Sequence, residues 1–221
     1  MENRGGTSML NIFVGLDIRQ PIAAQVLIHS IYSNASTPVS ITPLVLEQLP
    51  IKRRGLTDFT FSRYLVPYLS GYTGRSIFMD ADMLCLGDVH ELYYLAEPMA
   101  AVSVVKNKIR FEWPSLMVFN NAMCRALTPE FIDDPATAPQ SFSWCKEAGE
   151  LPSEWNHLVG YDKRRDDAKL VHFTQGLPCW PETKDCEYAD EWNVERRLMN
   201  STVSWQELMG SSVHAKVMQH A

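Results

Sequence analysis

Two aspartates separated by one alanine, Asp80-Ala81-Asp82, close the short apolar run Ser76-Ile77-Phe78-Met79, and apolar chain resumes at once from Met83 to Leu86. Carboxylates so placed are costly unless something compensates their charge. From a turn, both can converge on a divalent cation. Hard oxygen ligands of this kind suit Mg²⁺ or Mn²⁺, which then bridges to diphosphate oxygens. A departing diphosphate needs that neutralisation, because its charge grows as the bond to it breaks. His172, at the end of the run Leu170-Val171, is a third ligand candidate, imidazole being an acceptable Mn²⁺ ligand. Arg63 offers a guanidinium, whose rigid fork makes bidentate phosphate contacts. The plainer alternatives are a structural core histidine and an arginine on a helix surface.

These side chains need elements to hold them. Asn11 to Gly15 is an apolar run entering Asp17, which reads as a strand stopping at a polar turn. Pro21 can open the next helix, whose apolar residues Ala23, Val26, Leu27 and Ile31 recur at helical spacing. Val39 to Leu46 reads as a second strand, interrupted by Pro43. Strand, helix, strand in this order predicts a βαβ unit and a mostly parallel sheet. Phe61 to Leu69 reads as a helix with Pro67 at an end or a kink, broken by Gly71 and Gly74. Ser76 to Met79 is then a buried strand feeding the acidic turn, and Asp88 to Leu95 a helix capped by Asp88. Met99–Val105, Leu116–Phe119 and Lys169–Phe173 are further strand candidates, 128–139 reads as a loop, and 205–220 as an amphipathic tail helix. Open sheets of this type place ligands at the carboxyl ends of their strands, where Asp80 and Asp82 fall.

Phe61-Ser62-Arg63, then Ile77 to Leu84 around the acidic turn, then His172-Phe173 with Trp180 eight residues on, together resemble glycosyltransferase family 8. That family includes glycogenin and the bacterial lipo-oligosaccharide galactosyltransferases. Phe13 to Asp17, with Ser30 late in the following helix, fits the same pattern, and the resemblance runs from about residue 10 to 195. It implies a GT-A fold, an α/β Rossmann-like sheet, mixed but mostly parallel and flanked by helices, and the length and composition predict one domain over 1–221. The core would span 10–195 and a helical tail 203–221. It also implies a nucleotide-sugar donor, usually a UDP-sugar, held with Mn²⁺. Asp80, Asp82 and His172 match the metal ligands, and Asp80 would also approach the ribose. Val14, Gly15 and Asp17 fall where the family holds the nucleoside, with Ala81 in the same turn, and Arg63 falls where a basic side chain faces the donor. Arg63, Asp80 and Asp82 would thus carry catalysis, with retention of anomeric configuration. The chain departs from the family at Trp113-Pro114-Ser115, where Asn-Ser-Gly or Asn-Ala-Gly is usual, and at Gln175 and Pro178, where the family has Gly and Lys.

Composition limits the alternatives. The 221 residues carry a formal charge of −6, with basic triplets only at Lys52-Arg53-Arg54 and Lys163-Arg164-Arg165. A nucleic-acid partner needs a concentrated basic face, so none is expected. Five cysteines without a close CxxC pair point to a reducing compartment. With no leader-like run and no stretch near the ~18 apolar residues of a membrane span, a cytoplasmic location is expected. The tryptophans at 113, 144, 155, 180 and 192 could include a platform for a sugar ring, and Trp155-Asn156 is the preferred acceptor-side pair. Partners are therefore a nucleotide-sugar and a carbohydrate or other hydroxyl acceptor. Two other readings stand beside this one. The first is a catalytically silent nucleotide-sugar or carbohydrate-binding protein on the same fold, suggested by the departures. The second is a sugar nucleotidyltransferase, disfavoured because Asp17 to Pro21 lacks a glycine-rich loop.

Overall fold

In the computed structural model, residues 9–200 are described. The expected helix over 205–220 lies outside them. Strand β1 (Leu10–Gly15) leads into helix α1 (Pro21–Asn34) and strand β2 (Val39–Leu44). Pro21 sits in the first turn of α1, where its missing N–H costs nothing. Ala23, Ala24, Val26, Leu27, Ser30 and Ile31 form its buried stripe, as the spacing of the apolar residues predicts.

The expected continuous helix over 61–69 is instead three pieces: α2 (Phe59–Ser62), a 3-10 turn (Arg63–Leu65) and α3 (Val66–Leu69). Pro67 has no N–H to offer the carbonyl of Arg63, so the chain tightens ahead of it and restarts with the proline in the first turn. Strand β3 (Arg75–Met79) runs into the acidic turn and β4 (Met83–Cys85) leaves it. Helix α4 (His90–Leu95) follows, its first N–H taken by the Asp88 carboxylate at 3.1 Å. After β5 (Val102–Val104) and β6 (Leu116–Asn120) the expected loop over 128–139 contains α5 (Pro129–Asp133). Thr128 caps it by accepting the Phe131 N–H at 3.2 Å, a Thr-Pro start that outweighs the loop-like composition. Strands β7 (Gly149–Glu150), β8 (His157–Leu158) and β9 (Leu170–His172) precede α6 (Ala189–Met199). Helix α6 was not expected, although Asp190 and Glu191 in its first turn and Arg196 and Arg197 in its last complement the helix dipole.

The main sheet has the order β2-β1-β3-β6-β5-β7. β1 pairs in parallel with β2 and β3, and β7 with β5, while β6 lies antiparallel between β3 and β5. Every strand but β6 therefore points the same way, and the carboxyl ends of β1 and β3 lie side by side. A smaller sheet, β4-β9-β8, stands beyond the acidic turn. The inner strands are buried on both faces: Ile12, Val14, Ile77, Phe78 and Met79 are all inaccessible. Ser30 and Asn34 tie α1 to β4, the Ser30 hydroxyl accepting the Cys85 N–H at 3.0 Å and the Asn34 amide donating to the Cys85 carbonyl at 3.1 Å. No helix among the described residues is long and apolar enough to cross a membrane.

The two basic triplets have local tasks. Arg53 lies 4.1 Å over the Phe61 ring and donates to the carbonyls of Ile132, Asp134 and Thr137. Arg164 pairs with Glu191, and Arg165 with Asp167.

Candidate functional site

The acidic turn is the hinge between the two sheets. β3 delivers Asp80, whose N–H donates to the Ser115 carbonyl at 2.9 Å, and β4 carries the chain away after Asp82. Antiparallel pairing of β4 with β9 sets Met83 opposite His172. That register brings the imidazole, 92 positions further along the chain than Asp80, back to the turn. His172 Nε2 lies 3.4 Å from Asp82 Oδ1. One ligand atom from each of Asp80, Asp82 and His172 falls within 4.8 Å of the other two, the only such cluster of metal-ligating side chains among the described residues. Asp80 and His172 are buried, while the Asp82 side chain is one-third exposed.

Arg63 comes from the 3-10 turn ahead of Pro67. Its Nη2 is 3.1 Å from Asp80 Oδ1, its Nε donates to the Phe59 carbonyl at 2.9 Å, and its Nη1 to the Pro114 carbonyl at 2.9 Å. With the rings of Phe59 and Phe78 beside it, the guanidinium is fixed in a largely dry setting. Burial pushes the Asp80 carboxyl up to about 7 against the pull of Arg63, with the Asp82 charge adding to the rise. Burial also raises Asp82, but the neighbouring His172 outweighs it, and the carboxyl ends below its ordinary value. For His172, burial opposes the charged form, yet Asp82, Asp80 and Glu112 together raise the imidazole above its usual value. Two carboxyls a residue apart are thereby driven in opposite directions, a signature common at functional sites.

Buried Asp80 Oδ1, Asp82 Oδ1 and His172 Nδ1 make no hydrogen bond and face only the charges of Arg63, His172 and Glu112. Buried carboxylate oxygens without hydrogen bonds beside an imidazole are what a divalent cation would complete, and the donor set fits Mn²⁺ or Mg²⁺. Glu112, which the sequence did not single out, faces His172 Nδ1 at 3.7 Å. A carboxylate behind a ligand histidine orients the ring and raises its basicity. Only proximity could reveal it, since a lone glutamate between Phe111 and Trp113 carries no motif.

The other expected residues divide. Val14 pairs with Met79 across β1 and β3, so Val14-Gly15 lies next to the start of the acidic turn. Gly15 is needed for packing, since a Cβ there would stand 2.6 Å from the Phe59 ring. The Asp17 carboxylate is held by its neighbour, accepting from Arg19 Nε at 2.8 Å and from the Arg19 N–H at 2.9 Å. Ala81 is buried within the turn. Trp155 is a correction: its side chain is wholly inaccessible, so it offers no indole face to a sugar. Its place in the core, with the Lys169 ammonium 5.6 Å from the ring, outweighs the surface role that tryptophan abundance suggests. Asn156 is buried too, and donates to Ser115 Oγ at 2.9 Å and the Glu112 carbonyl at 3.3 Å. It braces the turn that carries Glu112. Trp113-Pro114-Ser115, which departs from the family pattern, thus binds Arg63, Asp80 and Asn156 through its backbone and hydroxyl.

Two clefts lie to the side of the triad. One of about 450 Å³ is lined by Leu95, Val105, Asn107, Leu151, Pro152 and Ser153 among others. The second, of about 390 Å³, lies along Lys106, Arg110 and Trp113. Neither includes Asp80, Asp82 or His172. Volume alone carries no chemistry, whereas buried and oppositely shifted groups do, and these converge at the triad.

No family model matches the chain. Protein CDI of Arabidopsis thaliana is 34% identical over 226 residues, which cover 86% of this chain and 86% of that protein. Among solved structures, the WbbM bifunctional glycosyltransferase superposes with a TM-score of 0.67 at 15% identity, over 94% of this chain and 52% of WbbM. The glycosyltransferase GlyE of Streptococcus pneumoniae TIGR4 gives 0.63 at 14%, over 95% and 64%. The galactosyltransferase LgtC, solved with donor and acceptor sugar analogs, gives 0.59 at 10%, over 89% and 98%. The chain thus spans about half the length of WbbM and just under two thirds of GlyE. At these identities the likeness establishes the fold, the mixed and mostly parallel GT-A sheet with flanking helices.

Proposed function

The chain belongs to the family of the Arabidopsis Protein CDI, and we propose that it is a metal-dependent glycosyltransferase of family 8 type. In this reading it moves a sugar from a nucleotide-sugar, a UDP-sugar, to an acceptor hydroxyl with retention of configuration. The observation that carries it is the convergence of Asp80, Asp82 and His172 at the carboxyl end of β3, on a fold shared with glycosyltransferases. These three side chains would hold Mn²⁺ or Mg²⁺. A divalent cation bound there supplies the positive charge that a departing diphosphate needs.

The chain's own residues prepare that step. Arg63 holds Asp80 in place, and its charge favours the ionised carboxylate that burial opposes. Glu112 sits behind His172, leaving Nε2 on the Asp82 side. Val14, Gly15, Asp17 and Ala81 border the nucleoside along the ends of β1 and β3. In the transfer, the bond from the anomeric carbon to the diphosphate breaks and a bond to the acceptor oxygen forms. The acceptor proton leaves to an oxygen of the departing diphosphate. The chain acts as one domain in the cytoplasm, without a nucleic-acid partner.

A thermal-shift screen of nucleotide-sugars with and without Mn²⁺ tests this. Stabilisation should require metal and donor together, because only the folded state binds them. Asp82→Ala should abolish the joint shift, and an unchanged shift in that variant rejects the metal assignment. Donor hydrolysis or transfer should accompany the binding. Binding with neither would assign a nucleotide-sugar-binding protein on the same fold.

A further inference from the structure

The 3-10 turn Arg110–Ser115 has two faces. On one, Glu112 meets His172, the Pro114 carbonyl receives Arg63, and the Ser115 carbonyl receives the Asp80 N–H. On the other, Trp113 and Arg110 line the cleft of about 390 Å³, together with Lys106, Phe142, Lys146 and Glu147. Three cations and one carboxylate therefore share a single concavity of a chain whose formal charge is −6.

Among the described residues some cations are paired with carboxylates, and these three, like Lys52, Arg75 and Arg125, are not. Arg19, Arg54, Arg164, Arg165 and Lys169 each face a carboxylate. Lys106, Arg110 and Lys146 form no ion pair among the described residues, and Arg110 only donates to the Ser141 carbonyl at 3.3 Å and lies 5.1 Å over the Trp113 ring. An excess of like charge gathered in a concave site, here three cations against Glu147, focuses an attractive field on anions. The Trp113 indole, its Nε1 anchored on the Asn107 carbonyl at 2.9 Å, gives the same cleft an aromatic wall.

We propose that this cleft seats the acceptor, and that the acceptor is a sugar bearing an anionic group, a phosphate or a carboxylate. The inference rests on the transferase reading and adds the acceptor's class to it. Lys106 and Lys146 hold the anion, Arg110 adds its guanidinium, and Trp113 borders the ring.

The test uses the full chain and needs neither donor nor metal. Saturation-transfer NMR compares glucose 6-phosphate, glucuronate and glucose at millimolar concentration. The charged sugars should bind about tenfold tighter than glucose, the scale of charge-assisted contacts. The Lys106→Gln/Lys146→Gln double variant should lose that preference while keeping Mn²⁺-dependent binding of UDP. A stronger response from glucose 6-phosphate than from glucuronate assigns phosphate, and the reverse assigns carboxylate. Equal or absent binding of all three sugars overturns the proposal, as does a preference that survives in the double variant. Loss of UDP binding in that variant also overturns it, because the cleft would then serve the donor. Failure of the unaltered chain to bind UDP with Mn²⁺ sinks the transferase reading by a separate measurement.

Discussion

Arg63 and Asp80 form a buried ion pair at 3.1 Å, yet burial still holds the Asp80 carboxyl near 7. The folded value is raised above the ordinary carboxylate range, so the associated stability is present at acid pH and is lost as pH rises through about 7. His172, also raised, acts in the same direction. The melting temperature of the metal-free chain should therefore fall as pH rises from about 4 to about 7, and Mn²⁺ should stabilise most at the upper end, where it no longer competes with protons. Asp80→Asn removes the titrating carboxyl and should flatten the profile. A slope as steep in the variant as in the parent would place its origin elsewhere. Asp80 and Asp82 were legible in the sequence because they sit between two apolar strands, and His172 because its flanking residues resemble the family pattern. Glu112 was not, because its partner lies 60 positions away.

At the level of elements, the approach of α2 to the end of β1 is the tightest constraint near the site. Gly15 permits it, since a Cβ would collide with the Phe59 ring at 2.6 Å. Phe59 in turn offers its carbonyl to Arg63. Gly15→Ala should cost about 1–3 kcal/mol through overpacking, read by chemical denaturation, and should weaken donor binding by displacing Arg63. Phe59→Leu in the same chain should recover part of the stability. No recovery would show that the cost does not come from this contact. The breaks in 61–69 and the cap on α5 follow from Pro67 and from Thr128-Pro129. Both signals were visible in the sequence. The first was read as a kink within one helix, and the second was hidden by loop-like composition.

Across the whole molecule, the site depends on two sheets being held together. α1 packs on β4 through Ser30 and Asn34, and α6 approaches α1, where Glu195 lies 2.5 Å from His29 Nδ1. The wholly buried Trp192 anchors α6. Trp192→Ala should therefore cost about 3–5 kcal/mol in global stability while leaving the Mn²⁺ dependence of donor binding intact at low temperature. Loss of the metal response in a folded variant would mean that α6 shapes the site directly. Trp155 and Trp192 are equally hidden, whereas Trp180 is 45% exposed. Composition alone cannot separate such residues.

By itself the sequence determined the local frame: the βαβ start, the apolar strand ending in Asp80-Ala81-Asp82, and the candidate histidine. The strands and the turn are written in periodicity and chain order over a few residues, the range at which propensity and patterning act, and the histidine in the resemblance of its flanking residues to the family pattern. The three-dimensional packing decided what meets what. It set Met83 opposite His172, put Glu112 behind the imidazole, withdrew Trp155 into the core, and gathered Lys106, Arg110 and Lys146 around one cleft. Such contacts join residues tens of positions apart, and their specificity lies in strand register and burial, which exist only once the chain has closed on itself.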